Sequence, residues 1–193
     1  MSLPQNTESI VPVPGIYLPP DDQITQPMVD FEAGGVALSD PSQGLTGYIW
    51  TLYQVNLDVF VQRNGAAPVL LFSQSDIVEL SLAFDQNMRP SVAYALSDGT
   101  IHLRWFDTVQ QLYITTNFGQ AKNPRLTLDD KRREMSSISD VLLAYIKNDS
   151  TLCVRQQRDR FGIEYVIATG LLPTTVLKNI GMNTGYRVQF ELA

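Results

Sequence analysis

Apolar and polar residues alternate along most of this 193-residue chain, the period-two signature of strands with one buried face. Leu80, Leu82 and Phe84 share one face of such a segment, and Ile101, Leu103 and Trp105 share a face of another. Residues 186–192 alternate cleanly and predict a last strand. Upstream, 47–53 is aromatic-rich, and Val55, Leu57, Val59 and Val61 predict a further half-buried strand. Asn64-Gly65 then predicts a hairpin returning through Val69, Leu70, Leu71 and Phe72.

The alternation itself repeats. Residues 92–119 superpose on 143–170 without a gap, Tyr94 falling on Tyr145, an offset of 145 − 94 = 51. Ala93, Asp98, Thr100, Arg104 and Gly119 match Ala144, Asp149, Thr151, Arg155 and Gly170. A period of this size marks a repeat architecture, and propeller blades run to about 40–50 residues. The full units are 79–119 and 124–170, each four antiparallel strands joined by short turns, with Asp98-Gly99 reading as a type I′ turn. A partial unit spans 45–73. The second full unit opens at 125–129, where Leu128 matches Phe84 at an offset of 128 − 84 = 44, which leaves seven residues inserted within 130–139. Met135, Ile138, Leu142, Tyr145 and Ile146 also fit a helical stripe, but the repeat equates 141–146 with a strand. The expected fold class is all-β: four-stranded blade-like meanders over 40–193, in an incomplete propeller-like or sandwich-like arrangement. Closed rings need about 4–8 blades, so neighbouring chains are expected to cover the open borders.

Residues 1–39 have a different texture. Pro4, Pro12, Pro14, Pro19, Pro20 and Pro27 are six of the chain's eleven prolines, which predicts an extended arm. Apolar side chains, among them Ile16, Tyr17 and Leu18, make the arm a candidate for docking on a partner. The last strand, 186–192, is expected to complete the partial unit or to pair with another chain.

A formal charge of −6 argues against a nucleic-acid backbone binder. The N-terminus lacks the basic and apolar regions of a secretory leader, and no apolar run approaches a membrane helix, so no membrane insertion is expected. Asn148-Asp149-Ser150 matches a glycosylation sequon, read as accidental without a secretory route. His102 and Cys153, the single histidine and cysteine, occupy equivalent repeat positions and so lie on different units. No phosphate-loop, dinucleotide, nucleophile-elbow or zinc-peptidase motif is present, and no cofactor or metal is expected.

Three features carry candidate chemistry. Asp129 and Asp130 head a mixed-charge cluster that reads as a solvated loop rather than a hydrolase dyad. Arg158 and Arg160 stand at a hairpin tip, where guanidiniums could fork onto a partner's carboxylates. Phe106 points away from the Trp105 face and is a candidate partner contact.

A further set of residues carries a resemblance: Asp40-Pro41-Ser42-Gln43-Gly44 with Trp50, Phe84-Asp85-Gln86-Asn87-Met88, Leu128-Asp129-Asp130-Lys131-Arg132, Gln157-Arg158-Asp159-Arg160-Phe161 with Glu164-Tyr165, and Gly181-Met182-Asn183 before Gln189-Phe190. Over 40–193 the chain resembles small β-rich tail or virion proteins of tailed bacteriophages. That resemblance implies a structural, non-enzymatic subunit of the tail or head-to-tail region. It would be assembled in the host cytoplasm, repeated around the particle axis, and partnered by copies of itself and by other tail or connector proteins. The alternatives are a receptor- or glycan-binding module at a tail tip, and a small propeller-like glycan hydrolase.

Overall fold

The computed structural model describes residues 31–38, 47–85, 87–129, 140–183 and 187–193, with backbone alone for 31–48 and 129. Thirteen strands and one short 3-10 turn make up the regular structure of these residues. The first sheet is β1 (Phe31–Leu38), β2 (Gly47–Val55), β3 (Asp58–Arg63) and β4 (Val69–Ser73), in that order and antiparallel. The second is a curled run of seven strands: β5 (Ile77–Phe84), β6 (Pro90–Leu96), β7 (Thr100–Asp107), β8 (Leu112–Asp129), β9 (Asp140–Lys147), β10 (Leu152–Gln156) and β11 (Tyr165–Ala168). A two-stranded sheet, β12 (Leu177–Met182) with β13 (Val188–Leu192), ends the chain.

Register shows that the repeat is structural. Val92 faces Arg104, Ala93 faces Leu103 and Tyr94 faces His102, while 51 residues on Leu143 faces Arg155, Ala144 faces Val154 and Tyr145 faces Cys153. The opening strand follows the shorter offset, since Leu82 opposite Val92 becomes Leu126 opposite Leu143. The intervening 130–139 lies outside the described residues. As expected, β9 is a strand and not a helix.

The sheets stack as four units. Unit I is β1–β4, unit II is β5–β7 with the first half of β8, unit III is the second half of β8 with β9–β11, and unit IV is β12–β13. Leu52, Val59 and Val61 of unit I pack on Leu80, Leu82, Phe84, Val92 and Tyr94 of unit II. The opposite face of unit II, including Ala93, Ile101, Leu103 and Trp105, packs on Leu126, Leu143, Tyr145 and Cys153 of unit III. The far face of unit III, with Leu142, Ala144 and Ile146, packs on Leu177 and Ile180 of unit IV. Face-to-face succession with β1, β5, the end of β8 and β12 side by side gives the incomplete propeller-like arrangement.

Several expectations need correction. Residues 31–38, counted with the arm, form β1 and complete unit I. Val55–Val61 is not one strand: Asn56 takes φ 56° in a tight turn, Val55 pairs with Asp58, and Leu57 is left exposed at the tip. The separate strands expected on either side of Gly119 are one strand, β8, which bends where Gly119 (φ 78°) and Asn123 (φ 54°) enter the left-handed region. The last strand pairs with β12 and not with unit I. At Asp98-Gly99 only the glycine has positive φ, 83°, and its N–H bonds to Leu96 O at 2.9 Å. That is a type I turn closed by a left-handed residue, not type I′.

Candidate assembly surfaces and charged clamps

The hairpin carrying Arg158 and Arg160 is built around the 3-10 turn Gln157–Asp159, after which Arg160 and Phe161 both adopt left-handed backbone, φ 52° and 55°. Burial of Phe161 holds this strained path: its ring lies edge-on to Trp105 at 5.1 Å and is 1% exposed. The turn thereby aims both arginines back into the chain. Arg158 pairs with buried Asp140, and Arg160 with buried Asp107. Asp107 also accepts the Val109 N–H at 2.8 Å. Burial alone would lift its carboxyl, but the Val109 and Gln110 amides and Arg160 more than reverse this, holding it below the usual carboxylate range. Both guanidiniums remain about half exposed, yet their charge is directed to acids of this chain.

Unit III contains a second clamp. Glu164 Oε2 accepts the Tyr145 hydroxyl at 2.5 Å and Arg155 Nη2 at 3.0 Å, while Oε1 accepts Lys147 Nζ at 3.2 Å. The Tyr145 bond, with Lys147 and Arg155, depresses the Glu164 pKa against the cost of burial. Burial and the Glu164 bond push the Tyr145 hydroxyl well above its ordinary value. Cys153, buried close by, has its thiol pushed up to about 11 by burial first and Glu164 second. Tyr145, Lys147, Arg155 and Glu164 hydrogen-bond to one another, which is the pattern of a structural network and not of a poised nucleophile.

The corresponding region of unit II is aromatic. Phe72 meets Tyr94 at 5.4 Å, and Tyr94 stacks on His102 at 5.2 Å. Phe106 meets Tyr113 edge-on at 5.3 Å and lies beneath the Arg89 guanidinium at 4.0 Å, so Phe106 has partners within the chain. His102 has its pKa lowered, chiefly by burial, and belongs to this cluster, whereas Cys153 belongs to the core between units II and III. Arg104, noted in the sequence only as the repeat match of Arg155, and Arg89, not noted there, stand here. The available signal was the absence of an acid near position 113, 51 residues before Glu164 (164 − 51 = 113), although the register of β7 with β8 puts Thr115 and not Tyr113 opposite Arg104.

Apolar side chains are also exposed at outer strand edges. On β11, Tyr165, Val166 and Ile167 are all exposed, Val166 at 58%; on β4, Val69 and Leu70 are 54% and 53% exposed. Three consecutive exposed apolar residues leave both faces of β11 partly open, while Ala168 at its end packs on the core. Ile16, Tyr17, Leu18 and Asp130 lie outside the described residues, and Asp129 is described only in its backbone. Among the described residues no three acidic, histidine or cysteine side chains gather as metal ligands, and no helix is long and apolar enough to cross a membrane.

No family model, curated protein or solved structure matches the chain.

Proposed function

We propose that this protein is a structural subunit that assembles in repeated copies through its sheet edges, and that its place is the virion of a tailed bacteriophage, in the tail or the head-to-tail region. The observation that carries the assembly reading is the truncated end of the arc. Among the described residues unit IV has two strands where units I to III have four, and the outer edges β4 and β11 present exposed apolar residues. An uncovered apolar edge is a liability in a lone protein and an interface in an assembled one. The commitment of Arg155, Arg158 and Arg160 to internal acids fits a scaffold better than a hydrolase. The virion assignment rests on the resemblance of 40–193 to phage tail proteins.

Sedimentation of the purified protein, paired with electron microscopy, tests the assembly reading: a defined closed oligomer is expected. Val166→Lys should shift it toward monomer, because a charge on β11 opposes edge pairing. A deletion kept to residues 1–30, which spares β1, should fold and fail to enter particles if the arm docks. A strictly monomeric protein at high concentration would remove the assembly reading.

A further inference from the structure

The two copies of the repeat differ at one chemically decisive place. In unit III, Arg155 is well satisfied: besides Glu164 at 3.0 Å and the Tyr145 hydroxyl at 2.7 Å, its Nη1 donates to the carbonyls of Phe161 at 2.8 Å and Gly162 at 3.2 Å. Arg104 occupies the same register position in unit II. Thr115 faces Arg104 across β7 and β8, so no acid stands where Glu164 meets Arg155 in unit III, and the Arg104 guanidinium lies 5.4 Å from the Tyr113 ring and 5.4 Å from the Phe72 ring. Arg89 is in a similar position. Its guanidinium covers Phe106, and its buried Nη1 has no hydrogen-bond partner among the described residues. Neither arginine forms an ion pair with a described residue. Asp85, the acid of the adjoining turn, spends Oδ1 on the backbone N–H groups of Asn87 at 2.8 Å and Arg89 at 2.9 Å.

Cation–π contacts offset part of the cost of desolvating a guanidinium, but they satisfy none of its in-plane N–H donors. Phe106 and Tyr113, in edge contact, bridge the two cations and hold them in one locality. Beside Arg104 is a hollow of about 30 Å³ lined by Leu71, Pro90, Val92, Arg104 and Tyr113. It has room for about two water-sized groups, which matches the two oxygens of a carboxylate and is far too small for a sugar ring or a nucleotide.

We propose that Arg104 anchors a carboxylate-binding site in the cleft between units I and II, with Arg89 on the adjoining Phe106 ring, taking from outside the chain the acid that Glu164 supplies inside unit III. Resting on the assembly reading above, the acid is an Asp or Glu of a second copy; a free carboxylate has the same chemistry and fills the same hollow. The planar guanidinium of Arg104 forks onto the carboxylate, and Leu71, Pro90 and Val92 exclude water from the pair.

The test follows the Nε–Hε NMR signals of Arg104 and Arg89 in the full chain, with sodium acetate titrated against sodium chloride at constant ionic strength. The Arg104 signal should move saturably with acetate and not with chloride, and more than the Arg89 signal, since Arg104 alone of the two lines the hollow. Arg104→Gln should weaken the response about tenfold or more. Thr115→Glu, which puts an acid opposite Arg104 as Glu164 is opposite Arg155, should silence the site in a protein that still folds. A dilution series identifies the source: signals that move with protein concentration and are reversed by acetate mark a second copy, and signals that move with acetate alone mark a free carboxylate. Signals indifferent to both, or an acetate response that survives Arg104→Gln, would overturn the site. Self-association without any acetate response removes the site and leaves the assembly reading standing; acetate binding to a strictly monomeric protein does the reverse.

Discussion

Arg155 and Glu164 meet at 3.0 Å beside the hydroxyl of Tyr145, which donates to the carboxylate at 2.5 Å and accepts from Arg155 Nε at 2.7 Å. The triangle ties β9, β10 and the segment leading into β11 together through side chains alone. Glu164→Gln keeps the shape and removes the charge, leaving Arg155 without its acid and Lys147 with only the more distant Asp149. Chemical denaturation should show a loss of about 2–3 kcal/mol. A loss below about 0.5 kcal/mol would mean that solvent replaces the carboxylate at little cost.

The same network sets an acid limit. The Glu164 pKa is depressed in the folded state, so as pH falls the unfolded chain binds the proton first and stability drops. The contribution is fully present above the unfolded glutamate value, about 4.3, and disappears as pH falls through the depressed folded value. Denaturation midpoints measured at and below about pH 4.3 should therefore fall less steeply in Glu164→Gln than in the parent. Parallel curves would show that other carboxylates carry the acid sensitivity.

Equivalent turns in units II and III make a matched pair for backbone strain. Gly99 has φ 83° and Ser150, 51 positions on, has φ 63°; their N–H groups bond to Leu96 O and Lys147 O, each at 2.9 Å. Ser150→Gly should stabilise by about 0.5–1 kcal/mol, since glycine adopts this conformation without steric cost. Gly99→Ala should destabilise by about 1–2 kcal/mol. Its new Cβ would stand 2.7 Å from Gln120 Oε1, displacing a side chain whose Nε2 donates to Asp98 O at 3.0 Å. Opposite signs in thermal denaturation are the expected result.

Phe161 couples a strained loop to the central core. Phe161→Ala removes a ring that is 1% exposed and packed against Trp105, and should cost about 3–5 kcal/mol. Near-ultraviolet circular dichroism should change with it, because the Trp105 environment is altered. A stable variant with an unchanged spectrum would show that the ring is expendable.

Cys153 reports on opening. With the thiol buried and its pKa near 11, the thiolate fraction at pH 8.5 is roughly one in three hundred. Native protein should resist alkylation, and labelling should appear only with denaturant at the global transition. Rapid labelling of the native state would mean that the core between units II and III opens by itself.

The chain displays its duplication plainly because β-sheet register is spelled by side-chain alternation: Tyr94/His102 and Tyr145/Cys153 occupy paired positions in both structure and sequence. Local breaks were harder to interpret. Asn56 reads as a polar position within an alternating strand, yet its left-handed backbone ends β2. Gly119 and Asn123 read as stops, although β8 only bends there and resumes pairing with β9. β1 contains Gly34-Gly35 and follows the proline-rich arm, so its composition masks its pairing. Charge placement was the least legible: Arg158 and Arg160 look outward in sequence, and only the reversal at Arg160 and Phe161 turns them toward Asp140 and Asp107. The Arg104 hollow depends on contacts across two sheets, which no local pattern encodes.

The strand Leu112–Asp129 is common property. Its first half closes one meander and its second half opens the next, with no linker where the two could be parted. Heat or force that frays either half strips an edge from both neighbours, so the pair should melt as a single cooperative body. An ancestral gene could shorten or lengthen this fold at its extremities, but splitting it in the middle would leave two fragments that each lack a wall.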